Sequence, residues 1–196
     1  MLDFQNSLRG TLNWFLDNRS SVLDMEGSHR APSLASHLAA GYRVLVPPSL
    51  EVKKLSIQPR RFDVEYYLSS DQKYRQPIVD LYKFANLKFK PYVSHLILLS
   101  SLASLDYSRG WSDLDCLMVI KKETVRDGHK LNELRNLCFE TWPLFLQITP
   151  LQHHGYITIT DMDLQSYPES CMPPAAFNHS LSLLKDSSEF SINLRC

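Results

Sequence analysis

A chain of 196 residues with 44% hydrophobic side chains can bury a substantial core, and its composition is that of an ordinary globular domain with additions. Lysine plus arginine equals aspartate plus glutamate at 21 each, so the overall charge advertises neither a nucleic-acid nor a membrane partner. The start, Met1-Leu2-Asp3-Phe4-Gln5, lacks the pattern of a secretory signal, no run approaches a membrane span, and Cys116, Cys138, Cys171 and Cys196 are too dispersed for a zinc site or disulfide framework. The expectation is a soluble, cytoplasmic protein with reduced thiols.

In chain order, Leu2, Phe4, Leu8, Leu12, Phe15 and Leu16 recur mostly at helical spacing and predict an amphipathic helix, followed by a polar loop over residues 18–33. Leu34 and Leu38 predict a short helix that Gly41 can cap, and Tyr42 to Val46 a strand stopped by Pro47-Pro48. Lys53, Lys54, Arg60 and Arg61 are the most basic local stretch. They suit a solvated loop and strand edge, with contact to a phosphate-rich substrate or RNA as the rival reading. Phe62, Val64 and Tyr66 alternate with Asp63, Glu65 and Tyr67, which predicts a half-buried strand to Leu68.

Gln76-Pro77 opens a helical pattern with Ile78, Leu81, Tyr82 and Ala85 on one face, where proline suits a first turn. A strand from Val93 to Ser101 follows. Beyond Lys121-Lys122, the residues Leu131, Leu134, Leu137, Cys138 and Trp142 predict a helix ending before Pro143, then a strand from Leu144 to Thr149. Gln152-His153-His154-Gly155 reads as a turn into a strand from Tyr156 to Thr160, and Thr160 with Asp163 resembles a capping pair. Phe177, Leu181 and Leu184 suggest a last helix, and the tail from Asp186 shows little pattern.

The chemistry concentrates between Leu96 and Ile120, LILLSSLASLDYSRGWSDLDCLMVI, where two apolar strands flank a small, polar connection. Asp113 and Asp115 are spaced to share one strand face, with Leu117 and Val119 continuing it and Leu114, Cys116, Met118 and Ile120 lining the other. Two carboxylates at the mouth of a buried strand repel each other and lose hydration, which a divalent cation compensates; a pair of solvated loop acids is the plainer reading. Small Ser100 and Ser101 allow a phosphate to approach the backbone. Tyr107, Arg109 and Trp111 suit either clamping a nucleotide or packing as a lid.

Leu99-Ser100-Ser101, a spacer, and Ser112-Asp113-Leu114-Asp115-Cys116 together resemble the signature of the polymerase-beta-like nucleotidyltransferase superfamily. The resemblance covers about an eighth of the chain directly. It implies an α/β (α+β) fold, a mixed sheet flanked by helices, with the core over residues 76–165, a mainly helical region over 1–75 and a helical extension over 166–196. It implies Asp113 and Asp115 as catalytic, metal-holding acids for Mg²⁺ or Mn²⁺, and Ser100, Ser101 and Ser112 as nucleotide contacts. The activity implied is transfer of an NMP from an NTP to an acceptor that the resemblance does not name; small size and neutral charge favour a small molecule or protein over a long nucleic acid. Ser100 stands where the family has glycine, and the predicted strand at Leu144–Thr149 carries no third acid, so the alternative is an inactive nucleotide-binding or interaction module. Asp161 is the candidate third carboxylate, with capping of a helix start as its other role. His153 and His154 suit a general base or a phosphate contact, or a plain turn; as neighbours on a strand they would point opposite ways and not ligate one ion.

Overall fold

A computed structural model describes residues 52–167, 172–186 and 189–195. The expected N-terminal helices and the strand at Tyr42–Val46 lie outside these residues, as do Cys171 and Cys196. In chain order the elements are β1 (Val52–Ile57), β2 (Arg60–Arg61), α1 (Val64–Leu68), α2 (Gln72–Phe84), β3 (Val93–Leu98), α3 (Ser100–Ser104) and β4 (Cys116–Ile120). There follow α4 (Lys122–Val125), α5 (Gly128–Ile148), β5 (Ile157–Thr160), two 3₁₀ turns at Asp163–Ser166 and Pro174–Phe177, β6 (Leu181–Ser182) and β7 (Phe190–Arg195).

The class is mixed α/β. Five strands form one mixed sheet in the order β2-β6-β3-β4-β5, in which β3 runs antiparallel to β4 and β6 while β4 runs parallel to β5. β1 and β7 pair separately as an antiparallel ribbon. Alternation along β4 explains its position. Leu114, Cys116 and Met118 pack with Ile78 and Leu81 of α2 and with Leu134 and Phe145 of α5, whereas Leu117 and Val119 pack with Ile57, Ile192 and Leu194 of the ribbon. A strand that buries both faces can hold polar groups only at its ends, and that is where the acids stand.

Four expected elements differ. Residues 62–68 are not a strand: Asp63 accepts from Tyr66 N at 3.0 Å and caps α1, and the pairing stops at Arg61. α2 starts at Gln72, four residues before the expected start, so Pro77 lies inside it. Its first turn is held by tertiary contacts, since buried Arg75 donates to Tyr67 O at 2.8 Å and to the Tyr107 hydroxyl at 3.0 Å. α5 runs through Pro143, and Leu144–Ile148 is helix, not strand. Leu134, Thr141, Phe145 and Ile148 are all buried at helical spacing, so one continuous packed face outweighs the cost of the proline. The C-terminal extension is a 3₁₀ turn and two strands in place of a helix, because Leu181 and Ser182 pair with β3 and residues 190–195 pair with β1.

The strands around the Ser-rich segment are shorter than expected: β3 ends at Leu98 with Ser100 and Ser101 opening α3, and β4 begins at Cys116, so Asp113 and Asp115 lie in irregular chain just before it and not on a strand face; the turn before β5 and the capping pair are present. Thr160 N donates to the Asp163 carboxylate at 2.7 Å, and Asp163 N donates back to Thr160 Oγ1 at 3.3 Å. No helix among the described residues is long and apolar enough to cross a membrane.

Candidate functional site

The acid pair owes its place to two ladders. The β3–β4 ladder ends at Leu98↔Cys116 and is extended once more by Leu99 N donating to Asp115 O at 2.9 Å. The next residue, Ser100, turns the chain away with φ +57°, a left-handed conformation that costs a residue with a Cβ and favours glycine. The serine turn and the acids therefore lie at the same end of the central strands.

The β4–β5 ladder decides what faces the acids. The ladder begins at Leu117↔Ile157, so the irregular chain before β5 lies level with the irregular chain before β4. His153 Nδ1 lies 3.4 Å from Asp113 Oδ2, and His154 Nε2 lies 3.4 Å from Asp115 Oδ1. The expectation that neighbouring histidines diverge is overturned because residues 152–156 precede β5 as irregular chain, and only a strand enforces alternation. The two rings stand edge to face, 4.6 Å apart. Ligand atoms of Asp113, His153 and His154 all lie within 4.8 Å of one another.

A residue that the sequence reading left without a role holds this arrangement. Gln152, buried, accepts from Leu114 N at 2.9 Å through Oε1 and donates through Nε2 to His154 O at 2.7 Å and Leu114 O at 3.4 Å. Its amide continues the sheet by one side chain. Leu114 separates the two acids, so Gln152 ties the acid segment to the histidine segment.

Other predicted residues fall elsewhere. Asp161 follows β5 at the far end of β4, roughly 17 Å from Asp115 at about 3.3 Å per residue, so it cannot complete the acid pair. Its carboxylate accepts from Ser94 Oγ at 2.7 Å and from Lys122 N at 3.2 Å, and so it serves the start of α4. Ser112 Oγ accepts from Ser108 N at 2.9 Å and closes the loop before the acids. Tyr107 stacks on Tyr74 at 4.8 Å and donates to Asp71 at 2.7 Å, while Arg109 pairs with the same carboxylate at 2.7 Å. The hydrogen bond from Tyr107, helped by Arg109, holds the Asp71 carboxyl below its usual range against the opposing effect of burial. Tyr107 and Arg109 are thus lid packing, whereas Trp111 is 84% exposed. Arg60 donates to Ala103 O at 2.8 Å and to His179 O at 3.2 Å, which gives it a structural role at the sheet edge.

No family model, curated protein or solved structure matches this chain. Chemistry must therefore be argued from the groups themselves. Burial pushes the Cys116 thiol far up and the Cys138 thiol up to about 11, so neither supplies a thiolate nucleophile near neutral pH. The convergent polar groups are Asp113, Asp115, His153 and His154. Between α5 and β5, Cys138, Phe139, Trp142, Gly155, Tyr156 and Thr158 line an open, largely apolar groove of about 370 Å³, which none of those four groups lines.

Proposed function

We propose that this chain is a metal-dependent nucleotidyltransferase, moving an NMP from an NTP to an acceptor and releasing pyrophosphate. One observation carries the reading: the hydrogen bond from Leu99 N to Asp115 O brings the left-handed Ser100 turn and the acid pair to one end of the central strands. A turn of that hand lets backbone N–H groups converge on phosphate oxygens, and carboxylates beside it suit a cation shared with those oxygens. In this scheme the Ser100-Ser101 turn holds the β- and γ-phosphates, and Asp113 and Asp115 hold the ion. A bound Mg²⁺ or Mn²⁺ neutralises charge on the phosphate and leaving oxygens. The acceptor oxygen forms its bond to the α-phosphorus as the bond to the pyrophosphate oxygen breaks, and the acceptor proton leaves to solvent. The apolar groove beside Gly155 suits a small-molecule or protein acceptor better than a phosphate-rich strand.

The second reading, a nucleotide-binding or interaction module without turnover, draws on a different observation. The irregular chain before β5, level with the acids, carries His153 and His154 and no third carboxylate, and Asp161 serves the opposite end of the sheet. Incubation with each α-labelled NTP and Mg²⁺ or Mn²⁺, alone and with cell extract, separates the readings when run beside Asp113→Asn/Asp115→Asn. Label transferred by wild type alone supports the enzyme. Metal-dependent NTP binding lost in the double variant, without transfer, supports the module. No binding refutes both.

A further inference from the structure

We infer that Asp113, His153 and His154 form a site for a divalent transition-metal ion of the Zn²⁺ type, bound through two imidazole nitrogens and one carboxylate, in preference to Mg²⁺. The inference does not depend on the nucleotidyl reading; the two share Asp113 and assign it different ions, so they compete for this end of the sheet.

The spacings carry the first part. A charge-assisted hydrogen bond between imidazole and carboxylate is about 2.7–2.9 Å long. Both His–Asp separations are 3.4 Å, too long for a shared proton to bind well. Ligands on a tetrahedral ion with bonds of about 2.0–2.1 Å sit roughly 3.3 Å apart, close to the separation of His153 Nδ1 and Asp113 Oδ2. The two remaining distances, from His154 to Asp113 and to His153, lie within the 4.8 Å spread of the ligand atoms, and the His153 side chain, 73% exposed, has room to rotate toward a common ion.

Hydrogen bonding around His154 carries the second part. Its Nδ1 lies 3.2 Å from Gly155 O, which can only accept. Gln152 Nε2 lies 2.7 Å from His154 O and 3.4 Å from both the same nitrogen and Leu114 O. With Nδ1 engaged at Gly155 O, Nε2 is the nitrogen that faces the acids and is placed to meet an ion. A backbone carbonyl that fixes the tautomer of a ligating histidine is the usual outer support of such an ion. Two nitrogen donors favour Zn²⁺, Co²⁺ or their neighbours over Mg²⁺, which takes oxygen ligands and sheds water reluctantly.

The test uses the full chain, stripped with chelator and titrated with Co²⁺ while its visible ligand-field absorption is recorded. Wild type is expected to bind one Co²⁺ that Zn²⁺ displaces and excess Mg²⁺ does not. His153→Ala, safe for folding at an exposed position, and Asp113→Asn should each weaken Co²⁺ binding by about tenfold or more. Absence of the absorption in wild type, or equal binding by His153→Ala/His154→Ala, overturns the inference. A parallel titration with NTP and Mg²⁺ keeps the two readings apart. Co²⁺ binding without NTP binding leaves this inference standing and removes the nucleotidyl one; Mg²⁺-dependent NTP binding that survives loss of both histidines, with Co²⁺ binding unchanged, does the reverse.

Discussion

Gln152→Leu removes one amide and, by the geometry of the site, three hydrogen bonds. Leu114 is fully buried, so its N–H, now bonded at 2.9 Å, finds neither protein nor water once the amide is gone. A buried backbone group left unpaired costs roughly 1–3 kcal/mol, and the half-buried His154 carbonyl recovers part of its loss from water. The expected destabilisation is about 2–4 kcal/mol, which for a chain of this size lowers Tm by roughly 5–15 °C. Gln152→Glu discriminates further. It keeps an acceptor for Leu114 N but sets a carboxylate oxygen against the Leu114 and His154 carbonyls, so it should destabilise although it is nearly isosteric. Urea and thermal unfolding of the purified chains measure both. A Gln152→Leu variant within about 0.5 kcal/mol of wild type, the range of unremarkable surface substitutions, would refute the role assigned to this side chain.

Ser100→Gly should stabilise. Relief of the left-handed strain at φ +57° is worth roughly 1–2 kcal/mol, and the added freedom of the unfolded chain returns about 0.4–1, for a net gain near 0.5–1 kcal/mol by urea unfolding; Ser100→Val should lose stability. Phe145→Ala should cost about 3–5 kcal/mol, because the ring is fully buried against Trp142 and Tyr156 on the part of α5 beyond Pro143. His95 predicts a pH dependence: burial lowers its pKa against a smaller opposing effect of Asp161. The unfolded chain therefore binds a proton more readily, and stability present above about pH 6.5 is lost as the pH falls through the folded-state value. A stability profile between pH 8 and 5 should flatten in His95→Phe. Asp71, whose carboxyl is held low, loses its contribution only in the acid range below its unfolded value, so the two windows separate.

The sequence by itself determined the features written in local pattern. The apolar runs around Ser100-Ser101 and Asp113-Leu114-Asp115 specify adjacent strands with one charged mouth, because a strand buried on both faces tolerates polar groups only at its ends. The Thr160–Asp163 cap and the turn before β5 are likewise short-range, as each needs only neighbours within three or four residues. Tertiary structure decided what proline and alternation misreport. Pro143 signals a stop, yet α5 continues because Phe145 and Ile148 extend a helical face already packed at Leu134 and Thr141. Residues 62–68 alternate like a strand, but only a free sheet edge would make them one, and Asp63 caps a helix instead. The site shows the same division. Asp113 and Asp115 are a visible pair, whereas their partners His153 and His154 are some forty residues away and reach them through the β4–β5 register. That register follows from which strands pair, a long-range choice that no local spacing encodes, and it also relegates Asp161 to the far end of the sheet and brings Gln152 under the acids.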